Sequence, residues 1–407
     1  LSSPVEVPRL VHDVAVRCAG VGGRAWLVGG GVRDTLLGRP GHDWDVEVHH
    51  VSESDLEAVL RRLGRVDAVG KAFGVFRVTR DGLTVDVSLP RRDSKTGPGH
   101  KGITVHGDPH LGLVEATRRR DLTINAILRD VLTGELADPF NGRRDLDTRV
   151  LRAVDPDTFL EDPLRALRAA QLAARLDFTP DPALVDLCAG ANLSELPRER
   201  IRGEWEKLLL KGRRPSRGLR LLRDARQLSA LFPRLVDVDD APLDRVVVDR
   251  DAMAPEGRRF ALMLLGWLRA SPPDDAADTL DRLGVVHHGG FPTRDRTLAA
   301  LRAWRAPIGD AIARRRLATL AEAGLVVVAR RAAGEHVGDA LERLAEQGLL
   351  DRAEPPLLLG RDLLERGWTA GPKLGADLAT AYEAQITEVF RDRAGALAWL
   401  ETQRPPH

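Results

Sequence analysis

The stretch Leu27-Val-Gly-Gly-Gly-Val-Arg-Asp34, followed shortly by Asp43-Trp-Asp45, decides how this chain is read. It predicts a buried strand, a tight glycine turn, a helix starting near Val32 and a second strand carrying two carboxylates. Strand side chains alternate, so Asp43 and Asp45 point one way and Trp44 the other. Neighbouring carboxylates repel unless a cation lies between them, and magnesium is commonly held by one or two carboxylates together with substrate phosphates. The glycine turn offers bare backbone N–H groups at a helix start, which suits phosphate. Alone, a triple glycine is ordinarily just a turn and an Asp-x-Asp just a solvated strand end. In this order and spacing they suggest a site for a nucleoside triphosphate with metal. Gly29, Gly30 and Arg33 would face the phosphates, and Asp34 reads as a structural partner of nearby backbone or an arginine.

Outward from this stretch, residues 5–20 read as a helix, Trp26–Val28 and Asp43–Val48 as strands, and Leu56–Leu63 as a helix. Phe73–Thr79 and Leu83–Leu89 alternate around Arg80-Asp-Gly82, a hairpin signal. Asp86, on the second of these strands, is either a third carboxylate for the site or a surface residue of an edge strand. Residues 91–107 are rich in glycine and cations and read as a loop, either an ordinary solvated one or a mobile element beside the site. Past residue 149 strand patterning all but disappears. Leu and Ala recur at helical intervals, interrupted at Pro180-Asp-Pro182, Arg214-Pro215, Ser271-Pro-Pro273 and Pro355-Pro356. The expected class is therefore α+β: a small mixed α/β head followed by an elongated all-helical neck, body and tail.

A chain of 407 residues exceeds the usual single domain, and its net charge of +1 excludes a uniformly basic nucleic-acid binder. Its arginines are clustered, and a nucleic-acid footprint can be local. The two cysteines, Cys18 and Cys188, lie far apart without metal-ligand spacing, which argues against disulfides or zinc and fits a reducing cytoplasm. No apolar run reaches membrane-spanning length and no secretory pattern opens the chain, so a cytoplasmic protein is expected.

Two further stretches carry chemistry. In Arg119-Arg-Asp-Leu-Thr-Ile-Asn-Ala126, Asp121 reads as the N-cap of a short helix Leu122–Arg129, with Asn125 one turn along the same face. The planar fork of Arg120 suits triphosphate oxygens, and Asp121 and Asn125 suit ribose hydroxyls. In Glu161-Asp-Pro-Leu-Arg-Ala-Leu-Arg168, Pro163 fits the first helical position, which makes Asp162 and Arg165 neighbours on one face. An acceptor beside a donor matches cytosine and adenine, each of which shows an amino group next to a bare ring nitrogen. It mismatches guanine and uracil, where the pattern is reversed. Arg168 would support Arg165 or the phosphates. Alternatively, Asp162 and Arg165 form only a surface ion pair. Further along, Arg198, Arg200, Arg202, Lys211, Arg213 and Arg214 read either as a solvated helical face or as a surface that tracks RNA backbone.

These four stretches, in this order, resemble the class II tRNA nucleotidyltransferase and bacterial poly(A) polymerase family, the CCA-adding enzymes. The resemblance runs to about residue 230, with a weaker patch around Leu359-Gly-Arg-Asp-Leu363 and Gly371-Pro-Lys-Leu-Gly375. It implies a polymerase-beta-like nucleotidyltransferase head at 1–149, a base-reading neck at 150–213, and an RNA-binding body and tail at 214–407. Two Mg2+ ions would be held by Asp43 and Asp45, with Asp86 the best-placed candidate for a third carboxylate. CTP and ATP would be the substrates and the tRNA 3′ end the acceptor, with no membrane and no obligate protein partner. The Arg119–Ala126 motif is tied in this family to telling ribose from deoxyribose, and residues 91–107 lie where the family keeps a flexible element. Asp138-Pro-Phe-Asn-Gly142 resembles the family's hinge, with Asn141 where glycine is commoner, and Leu196–Lys207 resembles its last neck motif. Gln171 stands where many members have arginine. CC-adding, A-adding and poly(A)-adding enzymes share these motifs. A non-catalytic RNA-binding relative, or a head acting on a small molecule or a protein, is a more remote alternative.

Overall fold

The protein is described by a computed structural model covering residues 7–39, 44–68, 75–95, 103–236 and 239–403. Two compact units divide the chain, Leu1–Pro233 and Arg234–His407.

The first unit opens with α1 (Arg9–Ala19), β1 (Arg24–Leu27), α2 (Gly30–Leu36), β2 (Asp45–His49) and α3 (Glu53–Arg61). There follow β3 (Arg65–Ala68), β4 (Val75–Arg80), β5 (Leu83–Ser88), β6 (Arg91–Lys95) and β7 (Ile103–Gly107). A short α4 (Leu113–Arg118) leads through a 3-10 turn at Thr123–Asn125 to β8 (Leu128–Asp130) and β9 (Leu136–Ala137). Seven strands form one mixed sheet in the order β3-β4-β5-β2-β1-β8-β9. β2 runs antiparallel to β1 and parallel to β5, with Asp45 opposite Asp86. Alternation gives the sheet two faces. Val46, Val48, Val78, Val85 and Val87 lie at 0% exposure on the apolar face, against which α1 and α3 bring Val11, Val14, Leu56 and Leu60. Each such side chain contributes about 1.5–3 kcal/mol on burial. Asp45, Glu47, Asp86 and Ser88 share the opposite face.

The hairpin between β4 and β5 closes on Asp81 and Gly82, both at positive φ, as a two-residue turn requires. Two expectations need correction. Residues 91–107 are not simply loop, because β6 and β7 pair antiparallel from Arg91 opposite Gly107 to Lys95 opposite Ile103; residues 96–102 lie outside the described residues. The expected helix Leu122–Arg129 is one 3-10 turn followed by β8, which pairs with β1 at Trp26 and Leu27. Ile124, Ala126, Ile127 and Leu128 are all buried, so this run has no polar face for a surface helix and instead extends the sheet.

The Asp138–Gly142 stretch secures that turn. Asp138 accepts backbone N–H bonds from Gly142 (2.7 Å) and Arg143 (3.0 Å) at the start of α5 (Gly142–Thr148), and Asp145 accepts from the Thr123 hydroxyl at 2.6 Å. Asn141 adopts the left-handed conformation (φ 58°), which Asn and Gly tolerate best and which explains its place in the motif. A Cβ on Gly142 would lie 2.1 Å from the Thr123 carbonyl oxygen, so only glycine lets α5 sit this close.

Beyond the head, β10 (Val150–Leu151) and β11 (Thr179–Pro180) make a two-residue parallel pair, and α6 (Pro156–Phe159) precedes α7 (Leu164–Leu176). α7 is Ala- and Leu-rich, hence a strong helix former. After α8 (Pro182–Ala189), α9 (Arg198–Lys211) and α10 (Pro215–Asp224) pack against α7, and α11 (Gln227–Leu231) ends the unit. The neck-to-body boundary expected at residue 213 therefore falls inside this unit.

The second unit is helical throughout its described residues, from α12 (Ala241–Ala252) to α21 (Arg393–Thr402). Phe260 to Leu265 are fully buried at its centre, and a separate core of Leu363, Trp368, Ala396 and Leu400 closes its C-terminal end. Asp362, within Leu359–Leu363, bonds the Leu359 backbone N–H at 2.7 Å and Arg393 at 2.7 Å, so this patch caps and ties the tail helices.

Candidate active site

The glycine turn ends β1 and starts α2. Gly29 has φ 74° and ψ −142°, a conformation that only glycine adopts without strain. A Cβ there would lie 3.5 Å from Arg120 Nη1 and 3.6 Å from Asp45 Oδ2, so the guanidinium and the carboxylate flank the bare backbone. β2, an interior strand, delivers Asp45 exposed at its first residue, while Glu47 two residues on is fully buried.

Glu47 was not anticipated. It accepts from Arg119 at 2.9 Å, lies 3.7 Å from Arg120 and contacts His49 at 3.2 Å. Burial alone would raise its carboxyl, but the His49 hydrogen bond and the charges of Arg120 and Arg119 outweigh burial and hold it down to about 2. The signal was present as the period-two alternation of Asp45, Glu47 and His49 along β2.

α7 supplies a second wall. Asp162 Oδ1 accepts from the Leu164 backbone N–H at 3.1 Å at the helix start, and Oδ2 accepts from Arg200 of α9 at 3.1 Å. Arg165, 8% exposed, donates to the carbonyls of Thr158 (2.9 Å) and Arg119 (2.7 Å). Those two bonds fix the guanidinium plane and leave other N–H groups for a ligand.

A chain of side-chain bonds joins the two walls. Arg168 donates to Asp121 (2.7 Å), Asn125 donates to Asp121 (2.9 Å), and Arg33 donates to Asn125 (2.6 Å) and to Asp34 (2.8 Å). Asp34 in turn accepts from Arg175 at 3.0 Å, the arginine partner expected for it. Burial would raise the Asp121 carboxyl, but the Arg168 charge, the Asn125 and Arg168 hydrogen bonds and the Leu122 N–H together hold it at about 2. Burial weakens the hold of Arg33 and of Arg120 on their protons, opposed chiefly by Asp34 and by Glu47 respectively.

The result is one cavity of about 500 Å3 in the first unit, lined by Gly29, Gly30, Arg33, Asp45, Arg120, Asp121, Asn125, Asp162, Arg165 and Arg168. Arg91, Arg119, Gln171, Leu172, Arg175, Lys207 and Lys211 complete it. Asp43 lies outside the described residues. Asp86 sits beside Asp45 in register but off the cavity wall, its carboxylate gripped by Arg77 at 2.8 and 3.0 Å. Of the cations assigned to RNA, Lys211 lines this cavity and Arg200 holds Asp162, while Arg202 pairs with Glu206 at 2.7 Å. Arg198 and Arg213 are exposed, and Arg214 lies 3.6 Å from Asp177. A larger cavity of about 630 Å3 lies wholly in the second unit, around Met253, Leu325 and Val328 with the Arg258–Glu322 pair at 2.9 Å, and holds none of the sequence motifs.

Comparison with known proteins agrees with this geometry. Residues 25–152 match the poly A polymerase head domain, and residues 183–238 match the probable RNA- and SrmB-binding site of polymerase A. The Multifunctional CCA protein of Stenotrophomonas maltophilia (strain R551-3) is 42% identical over 219 residues, 52% of each chain. That of Aromatoleum aromaticum is 40% identical over 238 residues, 56% of this chain and 55% of its own. The chain thus spans about half the length of the curated relatives it matches. The Bacillus stearothermophilus CCA-adding enzyme in complex with CTP superposes with a TM-score of 0.73 at 26% identity, over 98% of both chains. The Thermotoga maritima CCA-adding enzyme complexed with tRNA-CCA shares the fold, with a TM-score of 0.70 at 20% identity, over 98% of this chain and 96% of that one. Glycine turn, Arg-Arg-Asp motif and α7 face converge as the sequence resemblance implied, and residues 25–152 carry a poly A polymerase head domain within a fold shared with CCA-adding enzymes.

Proposed function

We propose that the protein adds C and A nucleotides from CTP and ATP to the 3′ end of tRNA without a template strand. The observation that carries this is the meeting, in one cavity, of the glycine turn, Arg120 with Asp121 and Asn125, and the Asp162/Arg165 pair. Gly29, Gly30, Arg33 and Arg120 face the triphosphate, and Asp121 and Asn125 stand at the ribose. Asp162 accepts from the exocyclic amino group and Arg165 donates to the adjacent ring nitrogen, which admits C or A and leaves groups unpaired against G or U. Arg165 is suited to this because its carbonyl anchors set its orientation before the base arrives.

Among the described residues no group of three or more side chains is placed to hold a metal by itself. Magnesium does not need one, since one or two carboxylates with phosphates and water suffice. Asp45 and Asp43 would hold it, with Asp86 joining if it exchanges Arg77 for the cation. Two bound ions would lower the pKa of the attacking hydroxyl and clamp the pyrophosphate.

On this reading residues 1–149 are the catalytic head, 150–213 the base-reading neck and 214–407 the RNA-binding body and tail, working in the cytoplasm. Exposed Arg198 and Arg213, together with Arg214, supply backbone-tracking charge. Among the described residues no helix is long and apolar enough to cross a membrane.

The test is incubation with tRNA lacking its end, magnesium and labelled CTP or ATP. Incorporation of neither nucleotide overturns the proposal. Primers ending at successive steps separate CCA addition from CC or A addition, and long adenosine tracts on unrelated RNA would instead indicate poly(A) synthesis.

A further inference from the structure

Gln171 lies on α7 one turn beyond Arg168 and one turn before Arg175, and it lines the cavity. The bonded path from Arg168 through Asp121, Asn125, Arg33 and Asp34 returns to the same helix at Arg175, so along α7 Gln171 lies between the two ends of this circuit of side chains. It takes no part in that circuit. Gln171 is 6% exposed, and its Oε1 has no hydrogen-bond partner. A buried acceptor left unpaired costs about 1–3 kcal/mol, so such an atom in a functional cavity marks a place where a ligand supplies the donor.

A triphosphate with a cytosine or adenine base offers few donors. Phosphate oxygens only accept. The base amino group is claimed by Asp162, nine residues and about 13 Å of helix rise away from Gln171. The ribose hydroxyls remain. They belong at the level of Asp121 and Asn125, which Arg168 ties to α7 one turn below Gln171. Both ends of the Asn125 amide are engaged within the circuit, and Asp121 accepts three bonds, whereas Gln171 Oε1 is unspent. We infer that Gln171 is a specificity-determining residue whose Oε1 accepts a hydrogen bond from a ribose hydroxyl of the bound nucleotide. This rests on the proposed function in placing a nucleoside triphosphate in the cavity. An arginine at 171 could not play this part, because a guanidinium has no acceptor.

The experiment is equilibrium binding by the full chain, with magnesium, of CTP, 2′-deoxy-CTP and 3′-deoxy-CTP, comparing wild type with Gln171→Met. Methionine keeps the length and helix preference of glutamine and removes the acceptor. The expected result is that wild type prefers CTP over one of the deoxy analogues and that Gln171→Met narrows that preference about 3- to 10-fold, through weaker CTP binding. The analogue whose preference collapses identifies the hydroxyl. Equal weakening for all three ligands, or an unchanged preference, overturns the inference while leaving the function proposal standing. No binding of CTP by wild type overturns both.

Discussion

Replacing Glu47 by Gln removes one charge from the most deeply buried ionic cluster of the head and keeps its shape. Glu47 holds Arg119 at 2.9 Å and faces Arg120 at 3.7 Å, with His49 at 3.2 Å. In the folded protein its carboxyl is held at about 2 against a usual 4.5, and each unit is worth about 1.4 kcal/mol, so the cluster contributes about 3 kcal/mol at neutral pH. Breaking one side of a buried ion pair costs a similar 3–5 kcal/mol or so. The sign follows from the direction of the shift. The unfolded chain takes up its proton first as pH falls, so the stabilisation is complete above about pH 4.5 and gone below about pH 2, with roughly half left at pH 3. Because the chain has two compact units, a single melting temperature would mix their transitions. Hydrogen exchange of the β1 and β2 amides reads the head directly. Glu47→Gln should lower their protection roughly a hundredfold at pH 7, with the gap between variant and wild type shrinking at pH 3. Equal protection at pH 7, or a gap that widens with acid, would refute the electrostatic account.

Other outcomes follow from single contacts. Asp45→Ala should abolish nucleotide incorporation while leaving exchange protection of β2 intact, since Asp45 is exposed at the strand start; near-normal turnover would remove it from the metal site. Asp162→Ala should lose discrimination against UTP and GTP more than affinity for triphosphate. It should also loosen the α7 start by about 1 kcal/mol through the lost Leu164 cap, and unchanged base choice in competition assays would count against direct reading. Gly142→Ala forces a Cβ to 2.1 Å from the Thr123 carbonyl oxygen, so thermal unfolding of the head should shift down by an amount equivalent to about 3 kcal/mol; an unaltered transition would mean that α5 moves aside at no cost.

Much of the site was legible because its parts are local. The glycine turn needs a conformation that only Gly29 permits, and the Asp162–Arg165 spacing sets two side chains on one helical face wherever the helix goes. The 4–5 hairpin was legible through Asp81-Gly82 for the same reason. The edge strand Arg65–Ala68 was missed because four residues carry too little alternation, and β6–β7 because its glycine- and cation-rich sequence resembles solvated loop. The Leu122–Arg129 helix was misread because four buried apolar residues in a run of five suit the approach to a buried interior strand as well as a helix.

Local chemistry therefore determined, from sequence alone, the class of the fold, the resemblance to a polymerase head and which side chains gather in one cavity. Tertiary structure decided their states. Only folding brings Glu47 under Arg119, ties Arg200 to Asp162 across 38 residues and Arg175 to Asp34 across 141, and leaves Gln171 Oε1 without a partner. Helix and strand spacing are set by neighbours a few bonds apart, whereas the partner and burial of a charge depend on segments that sequence order leaves far from it.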